Sequence, residues 1–225
     1  SDIPDEMLDN VYLDALAYTG YQVQAQKNDG TIYKTYGSRA SAYGSDISYG
    51  LTKYGTETVT KSGTATGLAP DIAGFESSGL CCASYVSYVY YNYLPNIAGI
   101  DTSGVAKPSN PRSASSYNTA ANAWVNAGTA RRISFTQSSN GDNFNPSEEI
   151  PIGSLIVFKH IPTGDIAHVA VYAGYYNGIH FVTHVGNDRG PEFSTVVGMS
   201  KGDYPEAVVQ VVVPQFVEES GKIEV

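Results

Sequence analysis

Cys82-Ala83-Ser84-Tyr85-Val86-Ser87-Tyr88-Val89-Tyr90, continuing to Leu94-Pro95, has the spacing of a helix. Cys82, Val86, Val89, Tyr90 and Tyr93 recur at i, i+4, i+7, i+8 and i+11, the stripe of an amphipathic helix, with the sulfur in the first turn on the buried side. Pro95 marks the stop near Leu94. Backbone N–H groups at a helix start carry partial positive charge and favour the thiolate, the form that attacks a carbonyl carbon. A free cysteine is also among the most often buried residues and commonly packs as a small hydrophobe.

Outward from this helix, Leu8, Val11, Tyr12, Ala15 and Leu16 form a helical stripe ending near Gly20, with Pro4, Asp5 and Glu6 suited to its first turn. Gly37 to Gly79 is rich in Gly, Ser, Thr and Tyr without sustained period, and reads as a long irregular segment with at most one short strand. Ser113 to Gly128 reads as another helix, with Tyr117, Ala120, Ala121, Trp124 and Val125 inward. After Arg131 the period changes. Ile152 to Phe158, Ile166 to Ala173, Ile179 to Val185 and Ala207 to Val213 are β-branched, aromatic-rich runs bounded by turn residues, and their short links favour antiparallel pairing.

The expected class is α+β, with N-terminal helices packed on a C-terminal antiparallel sheet. One domain is expected over residues 1–217, comprising an N-terminal helix and irregular Tyr/Gly-rich segment (1–74) and a core (75–217), followed by a tail or linker (218–225). The chain has 225 residues, enough to bury a core without staples. Its formal net charge of −9, with no basic cluster beyond Arg131-Arg132, disfavours a nucleic-acid or anionic-membrane partner. No run approaches the length of a membrane-spanning helix, and Ser1-Asp2-Ile3-Pro4 lacks the features of a signal peptide, so a mature or excised fragment is expected. The adjacent Cys81 and Cys82 are poorly placed for an ordinary disulfide and are read as free thiols. The polar, low-charge texture, with 18 Tyr and 23 Gly, suits a secreted or cell-surface location.

Two strand histidines complete a constellation. His168 shares a strand face with Ile166 and Ala170, and His184 shares one with Val182 and His180. A three-residue loop within Gly174-Tyr175-Tyr176-Asn177-Gly178 would put both imidazoles on one sheet face, whereas a two-residue loop would split them. A cysteine hydrolase needs a nucleophile, a base within reach and a third group that orients the base, and Cys82, His168 and His184 supply them in that order. A lone strand histidine is more often a satisfied core residue. A zinc site is the other reading, with His168, His184 and either Asp188 or Cys82 as ligands, although no compact ligand-pair motif is present.

The residues resemble a family. Residues 82–90 are similar to the Cys-Ser-Gly-Phe-Val-x-Tyr-Val-Tyr helix of NlpC-type (P-sixty) cell-wall cysteine peptidases. His168-Val169-Ala170-Val171-Tyr172-Ala173-Gly174 is similar to their His-Val-Gly-Ile-Tyr-x-Gly strand, and Pro151 to Phe158 to the Pro-Gly-Asp-Leu-Val-Phe-Phe strand before it. His184 falls where that family places its third polar residue. Asn187 to Thr195, with the long Tyr-rich region, looks more like a divergent Gram-positive surface subgroup.

The resemblance implies a papain-like fold and hydrolysis of amide bonds in peptidoglycan stem peptides, usually between D-γ-glutamate and a diamino acid. It implies Cys82 as nucleophile, His168 as base and His184 as its orienting partner, with no cofactor and no metal. Peptidoglycan stem peptide is the implied partner, and the chain is expected to be part of a larger surface protein. Candidate substrate-binding residues are Tyr49, matched to an upstream active-site tyrosine, Cys81, where the family commonly has an Asp that holds the amino end of the peptide, and Ser84, where Gly is usual. Ser154 likewise replaces an Asp. A catalytically silent surface binding module and an acyltransferase using the same trio are the alternatives.

Overall fold

The computed structural model describes residues 24–26, 32–35, 46–53, 57–64, 81–96, 98–176, 178–185 and 191–220. The helix expected over Leu8 to Gly20, and Asp188, lie outside them. Described early elements are β1 (Gln24–Gln26) paired with β2 (Ile32–Thr35), and β3 (Asp46–Lys53) paired with β4 (Glu57–Thr64). The β3–β4 hairpin corrects the irregular reading of Gly37 to Gly79. All eight residues of each strand pair without a register shift. Ile47, Tyr49 and Leu51 alternate with polar or small residues along β3, a period-two signal too short to stand out within a Gly-, Ser- and Thr-rich stretch.

The core is α+β. A six-stranded antiparallel sheet has the order β11-β10-β9-β8-β12-β5, with β5 Ala130–Ile133, β8 Leu155–His160, β9 Ile166–Tyr176, β10 Ile179–Val185, β11 Pro191–Thr195 and β12 Glu206–Pro214. The short pair β6 (Phe135–Thr136) and β7 (Asn145–Pro146) lies beside it in sequence. Strand β8 starts at Leu155 rather than Ile152, because Gly153 has φ +101° and Ser154 closes a turn onto the Pro151 carbonyl.

Helix α1 (Cys82–Tyr88) continues as a π turn, Val89–Tyr93, and a last α turn, Leu94–Asn96. Pro95 therefore sits inside the final turn instead of ending the helix before it. The expected amphipathic stripe is also corrected, because every residue from Ala83 to Tyr90 is buried, on all sides of the helix. Three of its hydroxyls find partners: Tyr85 donates to Thr183 Oγ1 (2.9 Å), Ser87 to the Pro111 carbonyl (2.7 Å) and Tyr90 to the Gly153 carbonyl (2.6 Å).

Helix α2 (Ala114–Ala127) matches its sequence signals. Ser113 Oγ accepts from the Ser116 N–H at 3.2 Å, and Gly128 closes the other end at φ +77°. Trp124 is buried and donates to the Ala106 carbonyl. The expected tail begins in α3 (Gln215–Ser220) rather than in free chain. Phe216 and Val217 are buried, Phe216 meets Tyr90 edge-on at 5.0 Å, and Glu218 bonds Arg131, which holds the helix down. No described helix is long and apolar enough to cross a membrane.

Candidate active site

The two imidazoles meet. Nε2 of His168 and Nδ1 of His184 are 2.9 Å apart, with the ring planes nearly perpendicular. Both residues are buried, 7% and 5% exposed. The connection that achieves this is not the expected one. Tyr176 pairs with Ile179, leaving two residues between the strands, which alone would place the histidines on opposite faces. Phe181 pairs with Gly174 but Val182 pairs with Tyr172, so Ala173 is an extra residue, a β-bulge that turns the parity back. A second bulge, at Ala167 between the Lys159–Ile166 and Phe158–His168 pairs, immediately precedes the first histidine and re-aims it.

The sulfur enters where two strands part. Pairing of β9 with β10 ends at Val171–Thr183, although β9 runs back to Ile166 and β10 on to Val185. Tyr172 exchanges both its backbone bonds with Ser154 and Gly153, on the β8 side, so by alternation Val169 turns its N–H towards β10. That N–H, and the N–H of Ala83, favour the Cys82 thiolate. Val169 follows His168, so the sulfur feels the strand that carries the first histidine. No hydrogen bond links the Cys82 sulfur to His168 among the described residues.

Electrostatics correct one expectation. Burial pushes the Cys82 thiol up to about 12, with the neighbouring Cys81 thiol and Glu206 adding to the rise and the two N–H groups opposing it. Burial also pulls His168 down to about 4. Desolvation outweighs the field of the helix start, so the resting pair is a neutral thiol and a neutral imidazole rather than a thiolate and an imidazolium.

Cys81 and Ser84 have a structural task. Ser84 Oγ accepts from the Cys81 backbone N–H (2.7 Å) and faces the Cys81 sulfur at 3.4 Å, a reciprocal cap on the first turn of α1. The Cys81 thiol also points to the Arg112 carbonyl at 3.5 Å. Tyr49 stands opposite Lys61 on β3, in a separate two-stranded sheet from the one that carries the histidines. Among the described residues no three His, Cys, Asp or Glu side chains group closely enough to hold a metal.

Glu206 escaped the sequence reading, which started β12 one residue later. It pairs with His160, while Val208 pairs with Phe158, the partner of His168, so the carboxyl shares the His168 face two strands away. It is 9% exposed, and its Oε2 has no hydrogen-bond partner among the described residues. Burial raises it to about 7. A charged residue opening a strand run after Pro205 was the available signal.

No family model matches the chain, and neither a curated protein nor a solved structure is significantly similar to it.

Proposed function

We propose that the chain is a papain-like cysteine hydrolase of the NlpC (P-sixty) type, cutting amide bonds of peptidoglycan stem peptides between D-γ-glutamate and a diamino acid. It would work outside the cytoplasm as part of a larger surface protein. The observation that carries the reading is the His168–His184 bond in the fork that receives Cys82.

The chemistry runs from neutral groups. With Nε2 of His168 engaged by His184, its Nδ1 is left to take the thiol proton as the sulfur attacks the amide carbonyl carbon. A C–S bond forms and the carbonyl oxygen takes up the displaced electron pair. As that pair returns, the C–N bond breaks, and His168 hands its proton to the leaving amine. Water then gives its proton to His168 and attacks the thioester, the C–S bond breaks, and the sulfur recovers a proton. His184 keeps the His168 ring in one tautomer and orientation throughout. Neither step consumes a cofactor.

One observation favours a second reading, a catalytically silent binding module on the same fold: the sulfur is strongly desolvated and lacks a bond to the imidazole. Mass spectrometry of digested peptidoglycan separates the two. New free γ-carboxyl ends on D-glutamate, absent with the Cys82→Ala protein, are expected from the hydrolase. Unchanged muropeptides from a protein that still sediments with cell walls would replace it with the binding module.

A further inference from the structure

A second group of side chains stands at the turn end of β9 and β10. Tyr172, 1% exposed, places its hydroxyl 2.8 Å from Nδ1 of His180. Burial raises the phenol above its ordinary range, so it keeps its proton, and Nδ1 is the acceptor that the described residues offer it. The hydroxyl therefore donates, and the imidazole carries its own proton on Nε2. Burial lowers His180, favouring its neutral ring. The result is a fixed, uncharged N–H donor without an acceptor among the described residues.

His180 lines two cavities. One, of about 510 Å³, is lined by Glu149, Tyr172 and Tyr175, and the other, of about 600 Å³, by Asp142 and Phe144, and both include His180. Tyr175 is 59% exposed and its ring lies 4.4 Å from the imidazole, and Phe144 meets the imidazole edge-on at 5.1 Å. Glu149 is near enough to act on the Tyr172 hydroxyl.

We propose that this groove binds a neutral oligosaccharide. An exposed ring offers a flat apolar surface for one face of a sugar, while the Nε2–H and the Glu149 carboxylate supply a donor and an acceptor for hydroxyl or acetamido groups. An ammonium could use the ring and the carboxylate but has no lone pair for Nε2–H. An anion would face Glu149. Cavities of this size suit a few sugar rings. The choice of sugar rests on the proposed peptidoglycan substrate, whose glycan strand carries the stem peptide. His180 and His184 share a face of β10 four residues apart, about 13 Å along the strand. At about 3.5 Å per extended residue, that is the reach of a short stem peptide.

Titration with a neutral N-acetylglucosamine tetramer, followed by nuclear magnetic resonance on the Cys82→Ala protein, tests the groove without requiring any hydrolysis. Saturable binding is expected, with resonance shifts at Tyr175 and His180. Tyr175→Ala should weaken it at least about tenfold, and Tyr175→Phe, which keeps the ring, should bind like the parent. No binding, equal binding by Tyr175→Ala, or binding of tetramethylammonium in place of the sugar would each overturn the proposal. The peptidase reading is judged separately, by the products of wild-type digestion.

Discussion

Replacing Glu206 by Gln should change how stability depends on pH in a direction that ordinary core substitutions do not. Burial lifts this carboxyl from 4.5 to about 7. A folded-state value above the unfolded one means that the group's contribution is present below pH 4.5 and lost as pH rises through about 7. At about 1.4 kcal/mol per pH unit, the loss amounts to at most about 3 kcal/mol by about pH 8. His168 works the other way. Held down from 6.5 to about 4, it contributes fully above 6.5, and that contribution disappears as pH falls towards 4, again on the order of 3 kcal/mol. The two limbs oppose each other in the wild type between about pH 4.5 and about pH 7, while the lowered His180 adds to the rise on the His168 side. In Glu206→Gln the rise from the histidines is no longer opposed by this carboxyl. Stability should rise with pH across that window, and at about pH 8 the variant should exceed the wild type by up to about 3 kcal/mol. Urea unfolding midpoints measured through the window read this directly. Parallel curves for the two proteins, or a variant less stable at every pH, would refute the placement of the carboxyl in a desolvated site.

Cys82→Ala should abolish hydrolysis, whereas Cys81→Ala should retain most of it and lose about 1 kcal/mol of stability, since Cys81 belongs to the cap of α1. On a mass-resolved alkylation time course at neutral pH, Cys82 should react slowly, because its thiol lies near 12. His184→Asn should keep appreciable kcat, because an amide oxygen can still accept from the His168 ring, while His184→Ala should lose at least about tenfold more. Matching rates for these two variants would show that the second imidazole does not orient the first.

Local chemistry made much of this core readable in advance. Ser113 and Gly128 bound α2 as cap and stop, and β10 has the limits that its apolar run implied. What stayed hidden depends on partners distant in sequence. The β3–β4 hairpin has a short alternation of Ile47, Tyr49 and Leu51, but the surrounding Gly, Ser and Thr residues mask it, and its partner strand β4 carries only Val59 as a large apolar residue. All-round burial of α1 reflects hydroxyl bonds to Thr183, Pro111 and Gly153, none of which a stripe of apolar positions can reveal. Cys82, His168 and His184 were visible as residue types in the right order, but the ionisation of the first two was not. The desolvation that keeps them neutral belongs to the packed surroundings and not to the motif. Glu206 was hidden for a similar reason, since its relation to His168 passes through Phe158 and Val208 on two intervening pairings.

The bulge at Ala173 makes the β9–β10 hairpin a counting device. Two residues in the turn and one spare residue in the strand together leave His168 and His184 on one side, and either feature alone would separate them. Single-residue insertions or deletions between Tyr172 and Val182 should therefore be lethal to the imidazole pair, while changes made two at a time, or one in the turn matched by one at the bulge, should be tolerated. A set of length variants across this hairpin would alternate between silent and functional as each residue is added. Such odd–even behaviour would distinguish a site held by strand parity from one held by the identity of any turn residue.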